Sequence, residues 1–137
     1  MMRESRIEFV YHEVEKYSGV NKKLIRDKSR VREVAIPRQV FAYILRVYLN
    51  MSLKEVGMEI LKDHSAISYY ISKHEDHMFY PPYARLYTSV VDALSADSLK
   101  YDLNLLNEKI KLAEIKLLNL KNRRDSINKK VEKNEAS

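Results

Sequence analysis

From Leu99 to Val131, ten positions recur at alternating spacings of four and three without a slip: Leu99, Leu103, Leu106, Ile110, Ala113, Leu117, Leu120, Arg124, Ile127 and Val131. Nine of the ten are apolar. A repeat averaging 3.5 residues puts one stripe along one side of a helix, so the stretch is predicted as a coiled coil or a helical hairpin. A continuous helix over that span is about 50 Å long at 1.5 Å per residue. Leu105, Leu112, Ile115 and Leu118 lie off the stripe. They would widen the contact into a multi-helix bundle or pack on the preceding helix. Arg124, at a core position, would fray the far end or meet an acid across an interface. Residues 129–137 are polar and are expected to fray.

The rest of the chain also reads as helix. With 2 Gly, 3 Pro and no Cys in 137 residues, there is no glycine-rich phosphate loop, disulfide scaffold or thiolate metal site. The same scarcity of turn residues argues against an all-β fold. Hydrophobic residues make up 45%, enough for one compact domain with an appendage. The longest apolar run, Val40 to Leu45, is far too short to span a membrane. The opening Met-Met-Arg-Glu-Ser-Arg-Ile-Glu has no apolar stretch and does not read as a signal peptide.

The charge is unevenly spread. Between Lys16 and Arg46 stand nine bases and only two acids, Asp27 and Glu33, giving +7 against +6 for the whole chain. That surplus points to a polyanionic partner or to a solvated basic surface.

Ile7, Val10, Tyr11, Val14 and Tyr17 share one helical face, and Gly19 suits the position just past that helix. Asn21 can cap a short second helix through about Arg26, with a basic loop from Asp27 to Arg32. Pro37 suits the first turn of a third helix striped by Ile36, Val40, Tyr43, Ile44 and Val47 and ending near Asn50. Ser52 and Glu55 have capping-box spacing, flanked by Met51 and Val56 at the spacing of a hydrophobic staple. A helix to about Ile60, a turn at Leu61-Lys62 and a helix capped by Asp63 make helix-turn-helix geometry. Gly57 inside the first of these is predicted to let a neighbouring helix approach closely. On the next helix Ile67, Ile71, His74 and Met78 point one way. Ser65, Tyr69, Ser72, Lys73 and Asp76 point the other, small or polar enough to enter a major groove. Tyr80-Pro81-Pro82-Tyr83 reads as a boundary, followed by a helix carrying Leu86, Tyr87, Val90, Val91 and Leu94.

Two segments resemble a known family. Lys28-Ser29-Arg30-Val31-Arg32-Glu33-Val34-Ala35-Ile36-Pro37-Arg38-Gln39 is similar to the basic loop and following helix of the DNA-binding domain of the bacterial replication initiator DnaA. Ser52-Leu53-Lys54-Glu55-Val56-Gly57 and Lys62-Asp63-His64-Ser65 resemble its helix-turn-helix and signature. The resemblance covers roughly residues 5 to 78. It implies that Arg30 inserts into the minor groove, that Arg38 and Arg46 lie beside DNA, and that Asp63, His64 and Ser65 read base edges. There are departures. Ile60-Leu61-Lys62 stands, one residue shorter, where the family has Gly-Gly before Arg-Asp-His. Ala66 replaces a threonine, Tyr69 a histidine and Ile36 an arginine. Nothing in the sequence corresponds to the family's nucleotide-binding motor domain, and the heptads lie outside its pattern.

These readings give an all-α chain: a helix-turn-helix domain at 1–78, a connector with a short helix at 79–97, and a heptad-bearing helix at 98–137. The expected function is sequence-dependent binding of double-stranded DNA without enzymatic activity, in replication or transcription, in the cytoplasm at the nucleoid. The expected DNA-contacting residues are Arg30, Arg32, Arg38, Arg46, Lys62, Asp63, His64, Ser65, Ala66, Tyr69 and Lys73. Self-association is expected through Leu99, Leu103, Leu106, Ile110, Leu117, Leu120 and Ile127. Alternatively Leu86, Val90 and Leu94 fold back over part of that stripe. No cofactor, metal, membrane or small-molecule substrate is expected. His74 and His77, one turn apart, lack a third ligand placed nearby by sequence. Tyr11, Tyr17, Tyr43 and Tyr87 are expected in the core, with Tyr69 and Tyr70 open to nucleic acid. The competing function is that of an adaptor acting through its helical extension.

Overall fold

The computed structural model describes residues 3–136, and among them there is helix and no strand. The helices are α1 (Arg3–Ser18), α2 (Lys22–Ile25), α3 (Arg32–Val47), α4 (Leu53–Ile60), α5 (His64–Ser72), α6 (His74–His77) and α7 (Pro81–Ala136). The chain divides into two compact units, Met1–Asp97 and Ser98–Ser137.

In the first unit α3 is the central element, packed on α1, α2, α4 and α5. Its Val40, Phe41, Ala42, Ile44 and Leu45 are wholly buried. They meet Val10 and Val14 of α1, Val56 and Ile60 of α4, and Ile67 of α5 in one apolar core. The Tyr11 ring stacks on Phe41 with centroids 4.0 Å apart, and its hydroxyl donates to Glu59 at 2.8 Å. Local signals fix several ends. Gly19 takes φ +76° after α1. Asn21 accepts from the Leu24 N–H at 3.0 Å to start α2.

Several boundaries differ from the sequence reading. α3 begins at Arg32, so Pro37 lies inside it rather than in its first turn. Val31 opens the helix without a side-chain cap, its carbonyl accepting from Val34 and Ala35. The proline tolerated for its missing N–H is instead Pro81. It opens α7, whose first bond runs from Ala84 to the Tyr80 carbonyl. The Tyr80–Tyr83 segment is therefore a helix start and not the edge of the domain. Tyr83, Leu86, Val90 and Leu94 are buried in the core of the first unit, which extends to Asp97. Tyr17 and Val47 are about half exposed, at 47% and 45%, because the core-facing stripe ends a turn before each. Tyr17 lines an open groove with Arg32, Ile36, Tyr80 and Leu86.

His74 is buried within a cluster of tyrosines. Its ring stacks on Tyr43 with centroids 3.5 Å apart and planes 6° from parallel, and its Nδ1 lies 2.7 Å from the Tyr83 hydroxyl. The Tyr87 and Tyr48 hydroxyls lie 2.8 Å apart at the edge of the cluster. Burial pushes the His74 pKa below its ordinary value, and it raises those of Tyr43, Tyr83 and Tyr87.

The second unit is helix throughout its described length, continuing to Ala136 where a frayed tail was expected. Every described residue from Leu99 onward is exposed.

Candidate nucleic-acid interface

The helix-turn-helix is built from local bonds. The Ser52 hydroxyl accepts from the Glu55 N–H at 3.1 Å, and the Glu55 carboxylate accepts from the Ser52 N–H at 3.0 Å. That backbone bond, with Arg3 at 2.6 Å, holds the Glu55 carboxyl below the usual range. At the other end of α4 the Gly57 carbonyl accepts from both Leu61 and Lys62. A Cβ on Gly57 would stand 2.6 Å from the Lys62 carbonyl oxygen. The expected close neighbour of Gly57 is thus the turn itself, rather than another helix. Leu61 completes the turn at φ 58°, a left-handed conformation that disfavours a side chain.

Asp63 stands at the N-cap position of α5 but makes no side-chain capping bond. Its Oδ2 accepts from the Ser65 hydroxyl at 2.6 Å, and its Oδ1 lies 3.1 Å from His64 Nδ1. The Ser65 bond, foremost, holds the Asp63 carboxyl below its ordinary value. Asp63, His64 and Ser65 are all exposed, while Ile67 behind them is wholly buried. The tip of α5 therefore offers polar side chains from a backbone anchored in the core. Farther along, Ala66 is half-buried and Tyr69 is 54% exposed. Half-buried Lys73 lies 3.9 Å from Asp76 and 6.0 Å from the Tyr69 ring centroid. Tyr70, expected to be open, is half-buried and packed against the core.

The basic loop has a defined shape. The Asp27 carboxylate accepts from the Ser29 N–H at 2.8 Å, and the Ser29 hydroxyl from the Val31 N–H at 3.3 Å. Arg38 reaches the loop from within α3. Its guanidinium donates to the carbonyls of Ile25 and Ser29 at 2.7 Å, and of Leu24 and Asp27 at 3.1 Å, and pairs with the Asp27 carboxylate at 3.3 Å. The Arg38 side chain is 4% exposed. The resemblance places Arg38 beside DNA; the structure turns its guanidinium inward, where it holds the loop. A buried cation requires such saturation of its donors.

Two further bonds join the loop region to the helix-turn-helix. Arg26 Nε donates to the Glu59 carbonyl at 2.9 Å, and Lys62 Nζ donates to the Asp27 carbonyl. Partial burial, followed by the charge of Arg38, pushes the Lys62 pKa down. Lys62 is thus committed to the loop, which puts the exposed Arg30 and the tip of α5 on one bonded frame. The other expected arginines lie apart from it. Arg32 is exposed, with its guanidinium over the Tyr80 ring at 4.3 Å. Exposed Arg46 donates to the Met51 carbonyl at 3.2 Å, just before α4. Sequence reasoning did not single out Arg26, Asp27 or Ser29 as parts of the site. The Asp-x-Ser spacing of a loop turn was the available signal for the last two.

A braced helix-turn-helix with exposed polar side chains at the start of its second helix defines a DNA-binding domain of the helix-turn-helix class. Residues 7–73 match the family described as bacterial dnaA protein helix-turn-helix, and they are a domain of that type. The chain is 33% identical over 78 residues to the chromosomal replication initiator protein DnaA of Deinococcus radiodurans, a stretch that is 56% of this chain and 17% of the relative. It is 39% identical over 64 residues to the protein of the same name from Deinococcus deserti, 47% of this chain and 14% of the relative. With that of Herpetosiphon aurantiacus the identity is 35% over 71 residues, 50% of this chain and 15% of the relative. The chain thus spans between about a seventh and a sixth of the length of these relatives. Among the described residues, no helix is long and apolar enough to cross a membrane.

Proposed function

We propose that this chain binds double-stranded DNA in a sequence-dependent way and carries no catalytic activity of its own. The observation that carries the reading is the bonded frame in which Lys62 ties the basic loop to the turn, so that Arg30 and Asp63-His64-Ser65 are presented together. Arg30 enters the minor groove, where a guanidinium suits a narrow electronegative channel. His64 and Ser65 read base edges in the major groove, and Tyr69 takes a place farther along the same face. Arg46 and Lys73 lie near phosphates. The protein acts at the nucleoid as an accessory to replication initiation, as a competitor for initiator sites, or as a regulator of transcription. Copies associate through the stripe from Leu99 to Ile127, bringing two reading domains to one DNA.

A binding-site selection from a random duplex pool, followed by His64→Ala, tests this. Loss of His64 is expected to cost about 1–3 kcal/mol at the selected site and little on random duplex. An equal loss on both would mean that His64 positions the helix and does not read. The exposure of the heptad stripe and of Leu105, Leu112, Ile115 and Leu118 beside it favours a second reading, an adaptor acting through its helical extension. On that reading the selection returns no enriched sequence.

A further inference from the structure

The stripe of the second unit is flanked unequally. With Leu103, Ile110, Leu117, Arg124 and Val131 as one set of core positions and Leu99, Leu106, Ala113, Leu120 and Ile127 as the other, each flank is a row with a period of seven. The row preceding the first set reads Asp102, Lys109, Lys116, Arg123 and Lys130. The row following the second reads Lys100, Asn107, Glu114, Lys121, Asn128 and Glu135. The core residues are exposed, from Leu99 at 70% to Val131 at 46%.

We infer that two copies of this chain pair through this stripe in parallel and in register. The inference rests on the self-association proposed above and adds orientation to it. Charge decides the orientation. In an antiparallel pair that keeps the same core layers like rows meet, so Lys116 faces its own counterpart and Lys109 faces the partner's Arg123, while Lys130 meets the partner's Asp102. In a parallel pair the rows cross. Lys109 then meets the partner's Glu114, Lys130 meets the partner's Glu135, and Arg123 meets the partner's Asn128. Only Lys116 meets a like charge, the partner's Lys121. Flanking charges of this kind set coiled-coil orientation. Arg124 shares its layer with its own counterpart, and Asp125 of the same chain bonds its guanidinium at 3.2 Å. Tyr101, Leu105, Leu112 and Ile115 stay outside such a pair. Both chains then enter the coil at the same end, through Ser98.

The chain contains no cysteine, so an introduced one is a unique probe. In the parallel pair, Leu106→Cys and Arg124→Cys each face their own counterpart, and each alone forms a disulfide-linked dimer of the full chain under mild oxidation. In the antiparallel pair that keeps the same core layers, the two copies of position 106 lie about 27 Å apart. Neither variant then links alone, but a mixture of the two links one to the other. Linkage only in the mixture overturns the parallel arrangement. Leu120→Cys serves as a second self-linking position if Leu106→Cys loses association. The solution mass of the unmodified chain at tens of micromolar separates the two claims. A mass of two copies with self-linkage supports the inference. A mass of two copies without self-linkage leaves self-association standing and overturns the orientation. A mass of one copy overturns both, and a mass above two copies overturns the two-chain form.

Discussion

Leu61 holds φ 58° with its side chain 60% exposed, so it bears a left-handed conformation with little packing in return. A non-glycine residue there costs roughly 1–2 kcal/mol, and glycine returns part of that gain as unfolded-state entropy. Leu61→Gly is therefore expected to stabilise the domain by about 0.5–1 kcal/mol, read as a higher denaturant midpoint at unchanged slope. A lower midpoint would show that the exposed leucine packs in solution. The His74 ring carries a different prediction. Burial lowers its folded-state pKa from the ordinary 6.5, with His77 acting in the same direction and Glu75 opposing. The unfolded chain thus binds the proton more readily than the folded one. The stability His74 contributes is complete above pH 6.5 and is lost as pH falls through the folded-state value. The melting temperature is expected to fall between pH 7.5 and 5.5, and to fall less in His74→Phe; an identical fall in the variant assigns the effect to other groups. The sequence showed His74 on the inward face of its helix. Its tyrosine neighbours lay hidden, because Tyr43 comes from α3 and Tyr83 and Tyr87 stand beyond a double proline that reads as a break.

At the scale of elements, what was legible is what is bonded locally. The capping box at Ser52 and the cap at Asn21 each span three residues, and both stand where the pattern put them. The role of Arg38 was not legible, because its partners lie 9–14 residues away and its charge reads equally well as a phosphate contact. Proline was legible as a first-turn residue in kind but not in place, since Pro37 and Pro81 meet the same local criterion. The inward Arg38 can be tested with Arg38→Lys, which keeps the charge and removes the fork of donors. A loop clamp predicts lower stability by about 1–3 kcal/mol, with weaker binding of the full chain to its selected duplex, as the basic loop loses its shape. Unchanged stability and affinity would return Arg38 to the surface as a simple cation.

On the scale of the whole molecule, a first unit with a buried core and an interface frame is joined in sequence to a second unit whose apolar residues are exposed. Composition and period made the second unit legible as one long helix. The extent of the first was less so, because α7 contributes Tyr83 to Leu94 to its core beyond a double proline that reads as a break. In the proposed function the first unit engages the phosphates of duplex DNA around a reading head. The most direct test is the affinity of the full chain for its selected duplex as a function of salt. Three cationic contacts, from Arg30, Arg46 and Lys73, give a log–log slope of about −3, with weaker binding but a comparable slope on random duplex of the same length. A slope near zero would contradict the account, because a protein that displaces no counterions is not held on the phosphate backbone.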